Sequence, residues 1–315
     1  MNLSLFPDEK PLAARLHSLA ARGVYFGTSS WKYEGWLGSI YTPERYNTRG
    51  KFSRNKFERE CLAEYAETFP IVCGDFSFYQ FPSESYWQRL FASAPPTLRF
   101  AFKVPEEITV KEWPKHARYG ARAGNDNESF LNAHLFEAAF LRPLAPYRNR
   151  VAAMIFEFGT LPKRHYAGVE PFAEDLRTFL RALPPEWRYS VEIRNKEYLA
   201  APYFDVLREN RTAHVFNAWT RMPELREQLA IESAYTTDFT IARALLRHGR
   251  SYEQAVEQFQ PYDRTQDPNP AAREGLSELM ERALATGQPA LLFVNNRLEG
   301  NAPSTIQAVV EGSSV

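Results

Sequence analysis

Eight short apolar runs alternate with stretches of helical periodicity along the chain, an order that leaves few folds open. The strand-like runs cover 24–30, 71–78, 98–104, 151–158, 189–194, 213–217, 237–243 and 290–295. Helical patterns lie between them at 57–69, 83–93, 127–142, 170–183, 201–209, 223–230 and 271–286, with a short one at 304–311. Unbroken strand–helix alternation predicts an α/β protein with a parallel sheet, and eight units predict closure into a single (β/α)8 TIM-like barrel. An open doubly wound sheet is the alternative, but its G-x-G-x-x-G phosphate fingerprint is missing. Local signals mark several boundaries. Ser83 follows Pro82 and predicts a helix cap, with Trp87, Leu90 and Phe91 facing inward. Leu176, Phe179, Leu180 and Leu183 form an apolar stripe that stops at Pro184-Pro185, and Gly287 ends the helix carrying Leu276, Leu279, Met280 and Leu284. No repeat, linker or low-complexity tract divides the chain. One barrel domain is expected over 23–315, preceded by an N-terminal helical extension over 1–22 in which Leu12, Leu16 and Leu19 recur at helical spacing.

Three of the apolar runs change character where they end. In Leu98-Arg-Phe-Ala-Phe-Lys103, Phe100 and Phe102 share one face while Arg99, Ala101 and Lys103 share the other. Tyr189-Ser-Val-Glu-Ile-Arg194 sets Val191 and Ile193 against Glu192 and Arg194, and Ala290-Leu-Leu-Phe-Val-Asn-Asn296 ends in paired amides. In a parallel barrel, inward side chains at the strands' C-terminal ends make the floor of the active site. Carrying the parity through all strands puts Asp75, Lys103, Glu157, Glu192, Arg194, Asn217, Arg243 and Asn295 on that floor. Asn296 has the opposite parity and joins them only if its strand has already ended. Long connections follow the first, third and seventh strands, the last being 244–269, so all three belong to the same face. Their aromatic content predicts ordered packing or a lid rather than disorder.

Composition narrows the chemistry. Lys plus Arg and Asp plus Glu both number 38, so no overall positive field exists to draw nucleic acid or an anionic membrane. The local exception is a basic run of Arg45, Arg49, Lys51, Arg54, Lys56 and Arg59 after the first loop. Cys61 and Cys73 make neither a disulfide framework nor a zinc motif, and a reducing cytoplasm is expected. No run approaches the roughly 18 apolar residues of a membrane span, and Asp8 and Glu9 stand where a signal peptide would be basic. The six histidines form no spaced pair, so no zinc site is expected. An oxygen-lined magnesium or manganese site from Asp75, Glu157 and Glu192 is disfavoured by the three nearby cations. Ser29 and Ser30 lack a partner histidine and a G-x-S-x-G elbow, while Asp75 beside Cys73 works against a thiolate. A pair of glycosidase carboxylates, Glu157 and Glu192, is disfavoured because the seventh strand carries Arg243.

Five motifs in order carry a family resemblance. They are Gly27-Thr-Ser-Ser-Trp-Lys-Tyr-Glu-Gly-Trp36, Phe76-Ser-Phe-Tyr-Gln-Phe-Pro-Ser83, Arg99-Phe-Ala-Phe-Lys-Val-Pro105, Ser190-Val-Glu-Ile-Arg-Asn195 and Asn295-Asn-Arg-Leu-Glu-Gly-Asn-Ala-Pro303. Together they resemble the domain of unknown function seventy-two family, whose members look like TIM barrels. The resemblance implies the fold and a pocket, without a reaction. This chain departs from the family pattern at Cys73, Asp75, Asn195 and Arg297, and 244–269 looks like an insertion.

The expected function is a metal-independent acid–base enzyme, a hydrolase, lyase or isomerase, acting on a small anionic or polyhydroxylated ligand. Lys103 and Glu192 are the expected catalytic groups. Arg194 and Arg243 are expected to hold an anion or carbonyl. Asp75, Glu157, Asn217, Asn295 and Asn296 are the expected polar ligand contacts, with Trp31, Tyr33 and Tyr79 as stacking rings. The alternatives are a nucleic-acid or nucleotide-phosphate binder using the basic run, and a scaffold barrel whose charged floor is only an ion network. Oligomeric state is left open.

Overall fold

The structure is a computed structural model that describes residues 12–312. Eight parallel strands close a barrel: β1 (Val24–Thr28), β2 (Ile71–Gly74), β3 (Arg99–Lys103), β4 (Val151–Glu157), β5 (Tyr189–Glu192), β6 (Ala213–Ala218), β7 (Thr240–Ala244) and β8 (Ala290–Val294). Each strand pairs with its neighbours in sequence, and β8 returns to β1 with Val24 opposite Ala290 and Thr28 opposite Val294. Closure depends on Gly27, because a Cβ there would lie 2.2 Å from the Ile71 carbonyl oxygen.

Strand parity sorts the core into two shells. Ile71, Ala101, Ile155, Val215, Ile241 and Phe293 fill the lumen, while Phe26, Phe100, Phe102, Phe156 and Val191 pack outward against the helices. Two residues further along most of these inward faces the apolar filling gives way to polar groups. Ala101 is followed by Lys103, Ile155 by Glu157, Ile241 by Arg243 and Phe293 by Asn295. The lumen is therefore a packed plug with a charged upper layer, as the alternation predicts.

Several strands are shorter than the apolar runs. The alternation Asp75-Phe-Ser-Phe78 continues the strand pattern, yet the backbone turns into a single 3-10 turn after Gly74. The Ser77 hydroxyl sits there between the carbonyls of Gly74, at 2.9 Å, and Lys103, at 2.6 Å, a local hydrogen-bonding choice that competes with the strand ladder. Ser83 caps the helix Glu84–Ala92 by accepting from the Tyr86 N–H, and Gly287 ends Pro270–Thr286 in the left-handed region at φ 71°. Within the expected N-terminal extension, Leu12–Ala21 is helical with Leu16 buried, and residues 1–11 lie outside the described residues. The helical pattern at 127–142 begins later, at Ala133, and contains a wider π-type turn over Glu137–Leu141.

The long connections are ordered. The first packs Trp36, Tyr41, Tyr46 and Phe57 into one aromatic core. The connection after β7 contains the helix Tyr252–Phe259 and a small core of Leu245, Leu246, Ala255, Phe259 and Tyr262, against which Tyr33 of the first loop packs. Those two segments touch closely: a Cβ on Gly35 would meet the Pro261 carbonyl oxygen at 2.1 Å.

Candidate functional site

The charged layer converges on Arg243, whose side chain is almost wholly buried. Its Nη1 donates to Glu157 Oε2 at 2.6 Å and to Glu192 Oε2 at 2.5 Å, while Nη2 donates to Asp75 Oδ1 at 2.9 Å. Arg194 Nη2 lies 2.6 Å from Glu192 Oε1 and 3.2 Å from Glu157 Oε2. Lys103 Nζ lies 2.9 Å from Glu157 Oε1 and 3.5 Å above the centre of the Phe78 ring. Three carboxylates thus face three cations, delivered by five strand ends, with Glu192 and Arg194 both from β5. The place between Asp75, Glu157 and Glu192 that could suit a magnesium or manganese ion is filled by the Arg243 guanidinium.

Above this layer opens a cavity of about 230 Å³ lined by Ser30, Tyr33, Asp75, Tyr79, Lys103, Glu157, Arg194, Trp219, Arg243, Leu245, Tyr252, Asn295 and Arg297. Its size suits a ligand smaller than the drug-sized molecules that occupy ~300–1,000 Å³ sites. Roomier clefts exist on the rim, one of about 530 Å³ between 109–115 and 159–165 and one of about 550 Å³ over 247–258. Volume alone favours those, but convergent buried charge is the better sign of chemistry and singles out the smaller space.

Eight expected site residues meet in this cavity: Tyr33, Asp75, Tyr79, Lys103, Glu157, Arg194, Arg243 and Asn295. Four do not line it. Glu192 has no exposed surface, since both oxygens are pressed against the guanidinium groups above it; it supports the arginines and cannot itself touch a ligand. Trp31 is buried in the first loop, with its ring edge-on to Phe76 at 6.0 Å and its carbonyl taken by the Tyr41 hydroxyl. Asn217 has the expected inward parity, but its Nδ2 is directed to the Ile193 and Val215 carbonyls. Asn296 accepts from the Ala302 N–H and so anchors the last helix, in keeping with its wrong parity. The cavity also includes groups that strand parity could not supply. Trp219 stacks on Arg194 at 3.9 Å, and Arg297 stacks on Tyr252 at 4.5 Å, bringing the connection after β7 to the cavity wall.

The electrostatics follow from this packing. Burial works to raise the Glu157 pKa, but Lys103, Arg194 and Arg243 outweigh it and hold the carboxyl well below the usual carboxylate range. Burial pushes the Tyr33 phenol up to about 12, so it remains a donor at neutral pH. Burial, with Asp75 next in effect, pushes the Cys73 thiol well above its ordinary range, consistent with the thiol as core filling. Among the described residues, Arg194 Nη1 and Arg243 Nε are buried without an acceptor.

Other sequence features find structural partners. Within the basic run, Arg45 pairs with Glu67 at 2.7 Å, Arg54 with Glu34 at 3.1 Å and Arg59 with Glu60 at 2.6 Å, which offsets three of its six positive charges. His165, one of the six histidines without a spaced pair, lies 2.8 Å from Glu112 Oε2. Glu112, Asp126 and His165 could together offer three ligand atoms to a metal ion, but Arg164 already holds the same Glu112 oxygen at 2.6 Å. Glu299, within the Asn295–Pro303 motif, is wholly buried and clamps Arg273, Asn269 and Thr305.

The family model described as "Protein of unknown function DUF72" matches residues 25–313. The chain belongs to the DUF72 family. Among solved structures, it is similar to a DUF72 family protein from Thermotoga maritima at 19% identity and a TM-score of 0.57, covering 90% of this chain and 96% of that one. A DUF72 family protein from Enterococcus faecalis is similar at 17% identity and a TM-score of 0.56, covering 93% and 97%. These likenesses establish the barrel fold. No curated protein matches the chain. Among the described residues, no helix is long and apolar enough to cross a membrane.

Proposed function

We propose that the central cavity is the active site of an enzyme, of hydrolase, lyase or isomerase type, that acts on a small anionic or polyhydroxylated molecule by acid–base chemistry. The observation that carries this is the convergence of Asp75, Lys103, Glu157, Arg194 and Arg243, from five strand ends, onto one small space walled by aromatic rings. An ion network serving only the fold has no need of an adjoining cavity.

The Lys103–Glu157 pair is the proposed proton-transferring couple. A ligand oxygen entering between them would receive a proton from the ammonium, and the carboxylate would accept one from a neighbouring hydroxyl or C–H. Glu157 takes the place first assigned to Glu192, because it borders the cavity while Glu192 lies beneath it. Arg194 is the proposed anion holder. Arg243 supplies at the centre the positive charge that a divalent ion would bring, so no metal is invoked. Asn295 uses its Oδ1 to accept from the Arg297 N–H, which leaves its amide N–H groups for a ligand hydroxyl. The floor is balanced in charge, and Arg297 at the cavity wall tips the total positive, which favours an anion. The two free, buried cysteines fit a reducing cytoplasm.

A turnover screen with hydroxy acids, sugar acids and their lactones tests this. Any activity found should fall by at least about 100-fold in Lys103→Met. Wild-type turnover in a folded Lys103→Met protein would falsify the assignment.

A further inference from the structure

Arg194 borders two cavities. Besides the central one, it lines an outer cavity of about 330 Å³ together with Thr160, Lys196, Thr220, Arg221 and His248. We propose that this outer cavity takes a phosphate monoester group on the ligand whose polyhydroxylated part occupies the centre, so that the substrate class is a phosphorylated polyol. This rests on the central cavity being the ligand site.

The charge balance of the two spaces differs. In the centre, Lys103, Arg194 and Arg243 are each in contact with carboxylates, and Arg297 at the wall adds one positive charge; outside, the positive side chains Lys196 and Arg221 face a single carboxylate, Glu197. Glu197 is partly spent, since its Oε1 accepts from Asn195 Nδ2 at 2.8 Å. That hydrogen bond, chiefly, and the backbone N–H next hold the Glu197 carboxyl below its ordinary range, with Lys163 and Lys196 adding to the effect.

The walls are built rather than incidental. Asn195 is buried, and its side chain accepts from the Leu161 N–H at 2.7 Å and donates to the Leu161 carbonyl at 3.1 Å, locking the loop after β4 to the loop after β5. His248 Nδ1 donates to the Met222 carbonyl at 3.0 Å, which ties the connection after β7 to the loop after β6 and leaves Nε2 as the ring's other polar atom. Between the cavities, Arg194 is 5% exposed and roofed by Trp219. Its Nη2 serves Glu157 and Glu192, whereas Nη1 has no acceptor among the described residues. An arginine shared by both cavities, with two threonines and two exposed cations in the outer wall, suits a tetrahedral dianion better than a planar carboxylate, which one arginine fork would hold.

Calorimetric titration with inorganic phosphate, a hexose and the same hexose as its phosphate ester tests the proposal on three proteins: wild type, Lys196→Ala/Arg221→Ala and Lys103→Met. The wild type should bind the ester at least about tenfold more tightly than the free hexose, an advantage the double variant loses. Inorganic phosphate, which requires no correct sugar, should bind the wild type and fail to bind the double variant. No phosphate binding to the wild type, or an ester advantage that survives in the double variant, overturns the proposal. Hexose binding that is unaltered in Lys103→Met would instead sink the central-site reading, while a phosphate advantage confined to intact Lys196 and Arg221 would still uphold the outer cavity.

Discussion

Glu192 and Lys103 hold opposite positions in the same network, and substitution should separate them. Both Glu192 oxygens face buried guanidinium groups, so Glu192→Gln leaves positive charge uncompensated inside the barrel. Removing one partner of a buried pair costs about 3–5 kcal/mol, and because the amide keeps one acceptor and turns an NH2 toward a guanidinium, the expected loss in urea unfolding is at the upper end, about 5 kcal/mol. Lys103 lies at the cavity edge, and its partner Glu157 keeps two arginines, so Lys103→Met should cost no more than about 1–2 kcal/mol. Glu157 also sets an acid limit. Its carboxyl is depressed in the folded protein, so the unfolded chain binds the proton more readily. The stability it contributes is therefore whole above the unfolded value of ~4.3 and is lost as pH falls below that toward the folded value. Unfolding free energies measured from pH ~7 down to ~3 should fall more steeply below ~4.5 in the wild type than in Glu157→Gln; parallel curves would contradict the assignment.

At the scale of elements, strand parity was the legible part. Period-two alternation in Arg99–Lys103 and Tyr189–Arg194 placed Lys103, Glu192 and Arg194 in one layer, and the structure brings them there. Depth within that layer was not legible, because parity gives a side chain's direction and says nothing of what lies above it; hence Glu192 proves to be floor and Glu157 wall. Strand ends were also misjudged where local hydrogen bonds decided them, as at Ser77. Trp219, Tyr252 and Arg297 reach the cavity from loops, where no periodicity points. The nearest sequence clues were the aromatic loops and the departure at Arg297. Closure of β1 on β2 makes its own prediction. Gly27→Ala forces a methyl group against the Ile71 carbonyl and should lower unfolding free energy by about 1–3 kcal/mol. An unchanged denaturation midpoint would show that the two strands yield at that point.

For the molecule as a whole, the barrel keeps its ionic chemistry on one face and nearly balances it. The net charge is zero and three of the six residues of the basic run are paired with local carboxylates, so oligonucleotide binding should be absent in fluorescence anisotropy at ~150 mM salt. Salt-dependent binding there would revive the polyanion alternative. The central claim is that the cavity over Arg243, rather than the roomier rim clefts, is where a ligand binds. The most direct measurement is the ligand-induced stabilisation of wild type and Lys103→Met by a hydroxycarboxylate found to bind the wild type. Stabilisation grows with ligand concentration over Kd, so a saturating ligand at ~100 times Kd should raise wild-type stability by about 2.7 kcal/mol. The account predicts that most of this gain disappears in Lys103→Met at the same concentration. An equal gain in both proteins would place the ligand elsewhere and contradict it.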